Sequence, residues 1–230
     1  MTAKAEPSNY LVTGANRGIG LAFARALSRR GDRVIATARD PAKARELGGL
    51  EVQVEALDVA DEQSIVSLAR RLAGEPIDVL INNAGVGEAG PGLEGLSVED
   101  LESTLRVNAI GPVIVTRELL PNLRAGRRRT VVNLSSGLGS VSGNTDGGWS
   151  AYRASKAALN QLTRTMAAEL ARERFICIVI SPGWVRTDMG GGGASLSPDQ
   201  SVAAMLKVID RLGPKDTGRF LDQHGKDVPW

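Results

Sequence analysis

Tyr152 and Lys156 are the residues of this chain whose types and spacing best suit proton chemistry. They lie four residues apart at the start of an apolar helical pattern, so both side chains are expected on one helix face. A phenol loses its proton near pH ~10, and a neighbouring ammonium favours the phenolate and moves that pKa towards working pH. The pair therefore predicts a general acid/base, although such a spacing arises by chance in roughly one comparable chain in twenty.

A glycine-rich turn is the second candidate site. A short apolar run, residues 10–13, leads into three glycines spaced G-x-x-x-G-x-G at 14, 18 and 20, and a helical pattern follows. Such glycines permit a tight turn and let backbone N–H groups at a helix N-terminus approach a pyrophosphate. The turn favours a dinucleotide site, with a plain strand-to-helix loop as the alternative.

Arg39 follows the second strand, nineteen residues beyond Gly20. In dinucleotide-binding folds, an acid near this position binds the ribose 2′-hydroxyl of NAD, whereas an arginine accommodates the 2′-phosphate of NADP. Arg39 and Arg17 together favour NADP(H), because a guanidinium fork matches phosphate geometry. The adjacent Asp40 keeps NAD(H) possible.

The elements that must position these residues alternate between strands and helices. Apolar runs predict seven strands, near 10–13, 33–38, 52–57, 77–81, 130–134, 176–180 and 218–221. Such an alternation predicts an α/β fold: a Rossmann-type, doubly wound parallel sheet with helices on both faces and ligands at the carboxyl ends of the strands. We expect one domain over residues 1–230.

A helical pattern from Val98 through Leu120 contains Asn108, an indifferent helix former. Pro112 lacks a backbone N–H, which could leave the Asn108 carbonyl free to hold a water. A surface asparagine is the alternative. The fifth strand ends in Ser135 and Ser136, which could orient a carbonyl oxygen opposite Tyr152.

Composition excludes several other classes of function. The net charge is +2, from 28 basic and 26 acidic residues, and only eight residues are aromatic, which argues against a nucleic-acid or membrane module. The single histidine, His224, and the single cysteine, Cys177, leave too few ligands for zinc and disfavour a Ser-His-Asp hydrolase. We therefore expect no metal site. We also expect a cytoplasmic protein, because no apolar run suits a signal peptide or a membrane span.

Four motifs resemble those of the short-chain dehydrogenase/reductase family. They are T-G-x-x-x-G-x-G at 13–20, N-N-A-G at 82–85, Y-x-x-x-K at 152–156, and P-G followed by threonine at 182, 183 and 187. Residues 143–148, 152–156 and 182–189 are similar to the carbonyl-reductase-like subgroup that includes the insect sniffer protein and the bacterial C-factor. The resemblance covers essentially the whole chain.

This resemblance implies a role for each matching position. Tyr152 would donate and accept the proton, Lys156 would lower its pKa and bind the nicotinamide ribose, Ser136 would hold the substrate oxygen, and Asn108 would anchor a relay water. The implied cofactor-binding residues are Gly14, Asn16, Arg17, Gly18, Ile19, Gly20, Arg39, Asp58, Val59, Asn83, Ala84, Gly85, Tyr152, Lys156, Pro182, Gly183, Val185 and Thr187.

One position departs from the family pattern. The family serine lies thirteen residues before the tyrosine, where this chain has Gly139. We assign the role to Ser136, at the end of the fifth strand, with Ser135 and Ser140 as weaker candidates. The expected activity is NADPH-dependent reduction of an aldehyde or ketone by a homodimer or homotetramer. The alternative is a cofactor-binding signalling or scaffold protein of the C-factor type.

Overall fold

A seven-stranded parallel sheet forms the centre of the computed structural model, which describes residues 6–87 and 92–230. The spatial order is β3-β2-β1-β4-β5-β6-β7, and every neighbouring pair is parallel. This confirms the predicted Rossmann-type α/β fold. The strands are β1 (Asn9–Val12), β2 (Arg33–Ala38), β3 (Gln53–Ala56), β4 (Val79–Asn82), β5 (Thr130–Leu134), β6 (Ile176–Ile180) and β7 (Phe220–Leu221).

Helices cover both faces of this sheet. They are α1 (Gly18–Arg30), α2 (Glu62–Arg71), α3 (Val98–Leu105), α4 (Gly111–Glu118), α5 (Leu120–Ala125), α6 (Ser150–Glu169) and α7 (Pro198–Ile209). None of the helices in the described ranges is long and apolar enough to cross a membrane.

Alternation along the strands divides the apolar side chains between two cores. Tyr10 and Val12 of β1 belong to one core with residues of α1 and α7, whereas Leu11 belongs to the opposite core with residues of α2, α4 and α5. Successive side chains of a strand point to opposite faces. Because both faces are covered, apolar residues point to both sides of the central strands, as in β6.

The helical pattern predicted from Val98 through Leu120 is confirmed, but the stretch is not one uniform α-helix. The structure shows α3, then a π-helical turn (Arg106–Ile110), then α4 and a separate α5. Two local features account for the first interruption. Pro112 lacks a backbone N–H donor. Gly111 lies close to the loop after β3, since a Cβ on residue 111 would be 2.6 Å from the Val59 carbonyl oxygen. Asn108 lies inside the π-helical turn, a feature frequent at functional sites.

The strand order reverses between β1 and β4, which places a crevice beyond their carboxyl ends. The turn after β1 and the loop after β4 leave the sheet side by side, since the Thr13 N–H donates to the Ile81 carbonyl at 3.0 Å. The predicted motifs at 13–20 and 82–85 therefore meet at one edge of the sheet.

Candidate functional site

Tyr152 and Lys156 lie one turn apart on α6, as predicted. The Lys156 Nζ is 5.6 Å from the centroid of the Tyr152 ring and donates to the Leu134 carbonyl at the end of β5, at 2.9 Å. Trp149, the residue before the helix, packs edge-on against the tyrosine with ring centroids 5.8 Å apart. The phenol is therefore held between an aromatic ring and an ammonium group.

The expected lowering of the Tyr152 pKa is wrong for this arrangement. Burial disfavours the phenolate and raises the pKa, and a hydrogen bond with Ser136 offsets only part of that effect. Burial also lowers the pKa of Lys156, to about 8. Burial thus destabilises the charged form of each group, because each lies in a poorly hydrated pocket where a charge is costly.

Ser136 is the serine that faces the tyrosine. Its hydroxyl lowers the pKa of Tyr152 by hydrogen bonding, and its Oγ accepts from the Leu138 N–H at 3.2 Å. Ser135 is buried and donates to Asn160 Oδ1 at 2.6 Å. Ser140 lies further along the loop, where its Oγ accepts from the Gly143 N–H at 3.1 Å. Of these three serines, only Ser136 affects the pKa of Tyr152.

Gly139 occupies the position where the family pattern has serine, and the structure explains the departure. A Cβ there would lie 2.8 Å from the Lys156 Cβ and 3.1 Å from the Lys156 backbone carbon. The loop passes so close to α6 that a side chain does not fit without movement.

Asn108 is fully buried, which excludes the surface alternative, and its amide bridges two parts of the site. The Oδ1 accepts from the Val86 N–H at 2.8 Å, and the Nδ2 donates to the Val86 carbonyl at 2.7 Å and to Ser155 Oγ at 3.0 Å. Ser155 in turn donates to the Tyr152 carbonyl at 2.7 Å. The side chain thus joins the loop after β4 to the first turns of α6.

The glycine-rich turn is fastened to the end of β4 by two polar side chains. Thr13 Oγ1 accepts from the N–H groups of Asn83 and Ala84, each at 3.0 Å. Asn83 Nδ2 donates to the carbonyls of Thr13 and Gly14 at 2.8 and 3.1 Å. A Cβ on Gly20 would lie 2.3 Å from the Gly14 oxygen. The third glycine is therefore required for packing of the turn itself.

The N-terminus of α1 has the features of an anion site. Arg17 stands at its N-cap but provides no side-chain cap, so the first backbone N–H groups are left for another acceptor. Gly14 and Gly18 have φ of 64° and 55°, a conformation that favours glycine. The glycines keep this surface open and fit a dinucleotide pyrophosphate.

The loop after β6 reaches this turn from the opposite side. Arg17 forms a salt bridge with Asp188 at 2.5 Å, and a Cβ on Gly18 would lie 3.4 Å from Thr187 Cγ2. Val185 is buried and bridges to Leu196. Of the predicted binding residues in this loop, Thr187 therefore lies against the glycine-rich turn.

The Arg39 side chain is exposed beyond β2, while the carboxylate of Asp40 is engaged locally. Asp40 accepts from the Ala42 N–H at 3.1 Å and pairs with Lys43 at 3.0 Å, contacts that hold its pKa below the usual value. This arrangement presents a cation rather than an acid at the position that distinguishes NADP from NAD.

Other predicted positions line the same edge of the sheet. Asp58 Oδ1 accepts from the Ala60 N–H at 2.9 Å, and Val59 packs under Gly111. A Cβ on Gly85 would lie 3.2 Å from Asn108 Oδ1 and 3.7 Å from Lys156 Nζ. Further predicted residues at this edge are Asn16, Ala84, Pro182 and Gly183 in the three loops, and Ile19 in the first turn of α1.

Sequence reasoning missed several residues that shape the site. Thr13 was seen only as part of a motif, although its hydroxyl joins two loops. The contacts of Ser155 and Trp149 with Tyr152 depend on three-dimensional packing and leave no signal in the sequence. Gly87 packs against the Tyr152 ring. It begins a glycine-rich stretch, residues 87–95, that the sequence predicts to be a loop, and residues 88–91 of it lie outside the described residues.

A cavity of about 330 Å³ lies on the other side of α6, between its first turns and the preceding loop. Leu138, Val141 and Arg153 line it, whereas Tyr152 and Lys156 do not. The loop before α6 thus borders a space that Tyr152 and Lys156 do not line.

Comparison with known proteins agrees with this geometry. The family model for short chain dehydrogenase matches residues 8–194. The C-signal protein of Myxococcus xanthus is 47% identical over 164 residues, which are 71% of this chain and 99% of that protein.

Two solved structures resemble the fold closely. The carbonyl reductase Sniffer of D. melanogaster superposes with a TM-score of 0.92 at 31% identity, covering 98% of this chain and 100% of that one. The NADPH-bound carbonyl reductase from chicken fatty liver superposes with a TM-score of 0.91 at 35% identity, covering 97% of this chain and 99% of that one. The chain belongs to the short-chain dehydrogenase/reductase family and is an oxidoreductase of the carbonyl-reductase-like kind.

Proposed function

We propose that this protein reduces an aldehyde or ketone to an alcohol with NADPH, using Tyr152 as the proton donor. The observation that carries the proposal is the convergence of Tyr152, Ser136 and Lys156 at the end of β5, beside a glycine-rich turn suited to a dinucleotide. The same three types of side chain serve proton transfer, oxyanion stabilisation and charge balance.

The cofactor would be held at three places. The N–H groups at the start of α1 would bind the pyrophosphate, Arg39 and Arg17 would bind the 2′-phosphate, and Lys156 would hydrogen-bond the nicotinamide ribose. When bound, NADPH supplies a hydride to the carbonyl carbon of the substrate. The identity of two similar proteins as carbonyl reductases supports this assignment.

The protein's own residues transfer the proton and stabilise the negative charge that develops on the substrate oxygen. Ser136 donates a hydrogen bond to the carbonyl oxygen, and Tyr152 transfers its proton to that oxygen as the alcohol forms. The raised pKa keeps Tyr152 protonated before the reaction, and the ammonium of Lys156 stabilises the phenolate afterwards. The Asn108 backbone carbonyl would hold a water that returns the proton.

A second candidate function is a signalling or scaffold role without physiological turnover. The 47% identity to the protein named C-signal favours it specifically. Under that hypothesis the cofactor binds, but no carbonyl compound is reduced.

We also propose that the protein is a cytoplasmic homodimer or homotetramer and that one domain contains both cofactor and substrate sites.

The discriminating experiment is NADPH oxidation with a panel of aldehydes, ketones and quinones, repeated with NADH. Turnover of at least one carbonyl class with NADPH, accompanied by a higher KM for NADH, supports the proposal. Tight NADPH binding measured by fluorescence, together with no turnover across the panel, contradicts reduction and favours the signalling role.

A further inference from the structure

The loop formed by residues 140–148 leads directly into the catalytic helix α6. It begins four residues after Ser136 and ends just before Trp149, which packs on Tyr152. Residues 141–148 are all exposed, and Val141 retains 72% of its accessible surface. A segment with so little buried surface has few contacts to hold one conformation.

Trp230 provides the distant anchor of the 140–148 loop. Its carbonyl oxygen accepts from the Ser142 N–H at 3.1 Å, from Ser142 Oγ at 2.8 Å and from Ser140 Oγ at 3.5 Å. Among the described residues, the other hydrogen bonds of this loop stay within it or reach only Gly137 and Arg153 beside it. Within the described ranges, Trp230 is therefore the one hydrogen-bond partner of the loop that is distant in the sequence.

Trp230 contacts β7 and α6 through its ring, although 38% of the residue's surface is exposed. Its ring packs against Phe220 of β7 with centroids 5.6 Å apart, and the Arg164 guanidinium of α6 lies 5.2 Å from its centroid. The preceding residues add to this attachment, because the Val228 N–H donates to the Phe220 carbonyl at 2.8 Å and Arg219 forms two hydrogen bonds with Asp227, each at 2.9 Å.

We propose that Trp230 is a positioning residue that fixes the 140–148 loop and thereby shapes substrate binding beside Tyr152. The ring anchors the carbonyl oxygen, and the carbonyl orders the loop through Ser142 and Ser140. Trp230 reaches the site through this loop, which ends next to Trp149, the residue that packs against the Tyr152 ring. The consequence for substrate binding rests on the proposed carbonyl reductase function.

The test combines hydrogen exchange with kinetics in the full-length protein. In Trp230→Ala, the amide of Ser142 and its neighbours in 141–148 exchange about tenfold faster or more, because bonds of ordinary strength are lost. Amides of α1 and β1 keep their wild-type rates. Trp230→Phe retains an aromatic ring on Phe220 and restores most of the protection.

A second variant approaches the same contact from the loop. Ser142→Ala removes the 2.8 Å hydrogen bond from Ser142 Oγ but leaves Trp230 in place. It should raise amide exchange rates in 141–148 by a smaller factor than Trp230→Ala does. Unchanged exchange in this loop for both variants overturns the proposal, as does a uniform increase over the whole protein in Trp230→Ala together with no change in Ser142→Ala.

Kinetics then separate this inference from the proposed function. With a reducible carbonyl substrate, Trp230→Ala raises KM about fivefold or more while kcat and the Kd for NADPH stay within about twofold. A selective loss of loop protection without any carbonyl turnover in the wild type contradicts the reductase function but leaves the loop anchor intact. Loss of protection with an unchanged KM contradicts the effect on substrate binding.

Discussion

Gly87 lies directly against the Tyr152 ring. A Cβ on residue 87 would be 2.5 Å from Cδ2 and 2.8 Å from Cε2 of the tyrosine. The preceding residue, Val86, is bound by the amide of Asn108, which also reaches the α6 turn through Ser155. The ring is therefore limited on one side by backbone that is itself fixed in place.

Gly87→Ala is expected to reduce turnover by about 10- to 100-fold, because the added methyl group displaces the ring and small misplacements of a reacting group are costly. Thermal stability should fall only modestly, by about 1–3 kcal/mol of overpacking. The measurement is kcat with NADPH and a carbonyl substrate. Gly49→Ala is the control, since its Cβ meets nothing within 4 Å. Equal activity of both variants contradicts the positional role of Gly87.

Ser136 and Ser135 should respond differently to replacement by alanine. Ser136→Ala removes the hydrogen-bond donor beside Tyr152 and is expected to lower kcat by about 100-fold with little change in Tm. Ser135→Ala leaves buried Asn160 without its 2.6 Å hydrogen bond and should cost about 1–3 kcal/mol of stability while kcat changes little. Kinetics and urea unfolding of both variants check this, and the reverse pattern would assign the catalytic role to Ser135.

Gly139→Ser should not restore activity to Ser136→Ala, although it places serine at the family position. The new Cβ would lie 2.8 Å from that of Lys156, so the substitution strains the loop against α6. The double variant should be as inactive as Ser136→Ala and less stable by about 1–3 kcal/mol. Recovery of turnover in the double variant would show that the loop adapts readily.

Lys156 should make stability depend on alkaline pH. Burial lowers its pKa to about 8 in the folded protein, against 10.5 in its ordinary state. Below pH 8 the folded state bears the full cost of burying the charge; between pH 8 and 10.5 the folded lysine loses its proton first, and the cost disappears. This difference corresponds to about 3 kcal/mol.

Lys156→Met removes this dependence. The free energy of unfolding is measured with urea at pH 7 and pH 10. The wild type should gain stability relative to Lys156→Met as the pH rises. Lys207→Met, at an exposed position of α7, is the control and should show no such shift. A constant difference between wild type and Lys156→Met would contradict the lowered pKa.

Arg39→Ala is expected to weaken NADPH binding by about 10- to 100-fold while changing NADH binding little, because only NADPH carries the 2′-phosphate. The measurement is the Kd of each cofactor by fluorescence titration. Arg45→Ala, a nearby exposed arginine, should leave both constants unchanged. An equal rise in the Kd for NADH and NADPH would show that Arg39 does not bind the 2′-phosphate.

The sequence was sufficient for the order and type of the main elements. Apolar runs ending in Thr13, Asn83 or Ser136 marked the carboxyl ends of parallel strands, and those ends meet at one edge of the sheet. The apolar periodicity between Val98 and Leu120, however, continued through the π-helical turn. The break depends on the close approach of Gly111 to Val59, which a linear pattern does not encode.

The pKa of Tyr152 could not be predicted from its spacing to Lys156. Spacing indicates that two groups are neighbours, but the direction of the shift depends on how far each is removed from water. Here burial raises the pKa of Tyr152 and lowers that of Lys156. The same limit applies to Trp230, whose contact with Ser142 joins residues far apart in the chain.

The most direct test of the proposed mechanism is NADPH oxidation by Tyr152→Phe, with a carbonyl substrate that the wild type reduces. Phenylalanine keeps the ring between Trp149 and Gly87 but removes the transferable proton. We predict a loss of turnover of at least about 100-fold, with NADPH binding and Tm close to those of the wild type. Full turnover by this variant would contradict the assignment of Tyr152 as the proton donor.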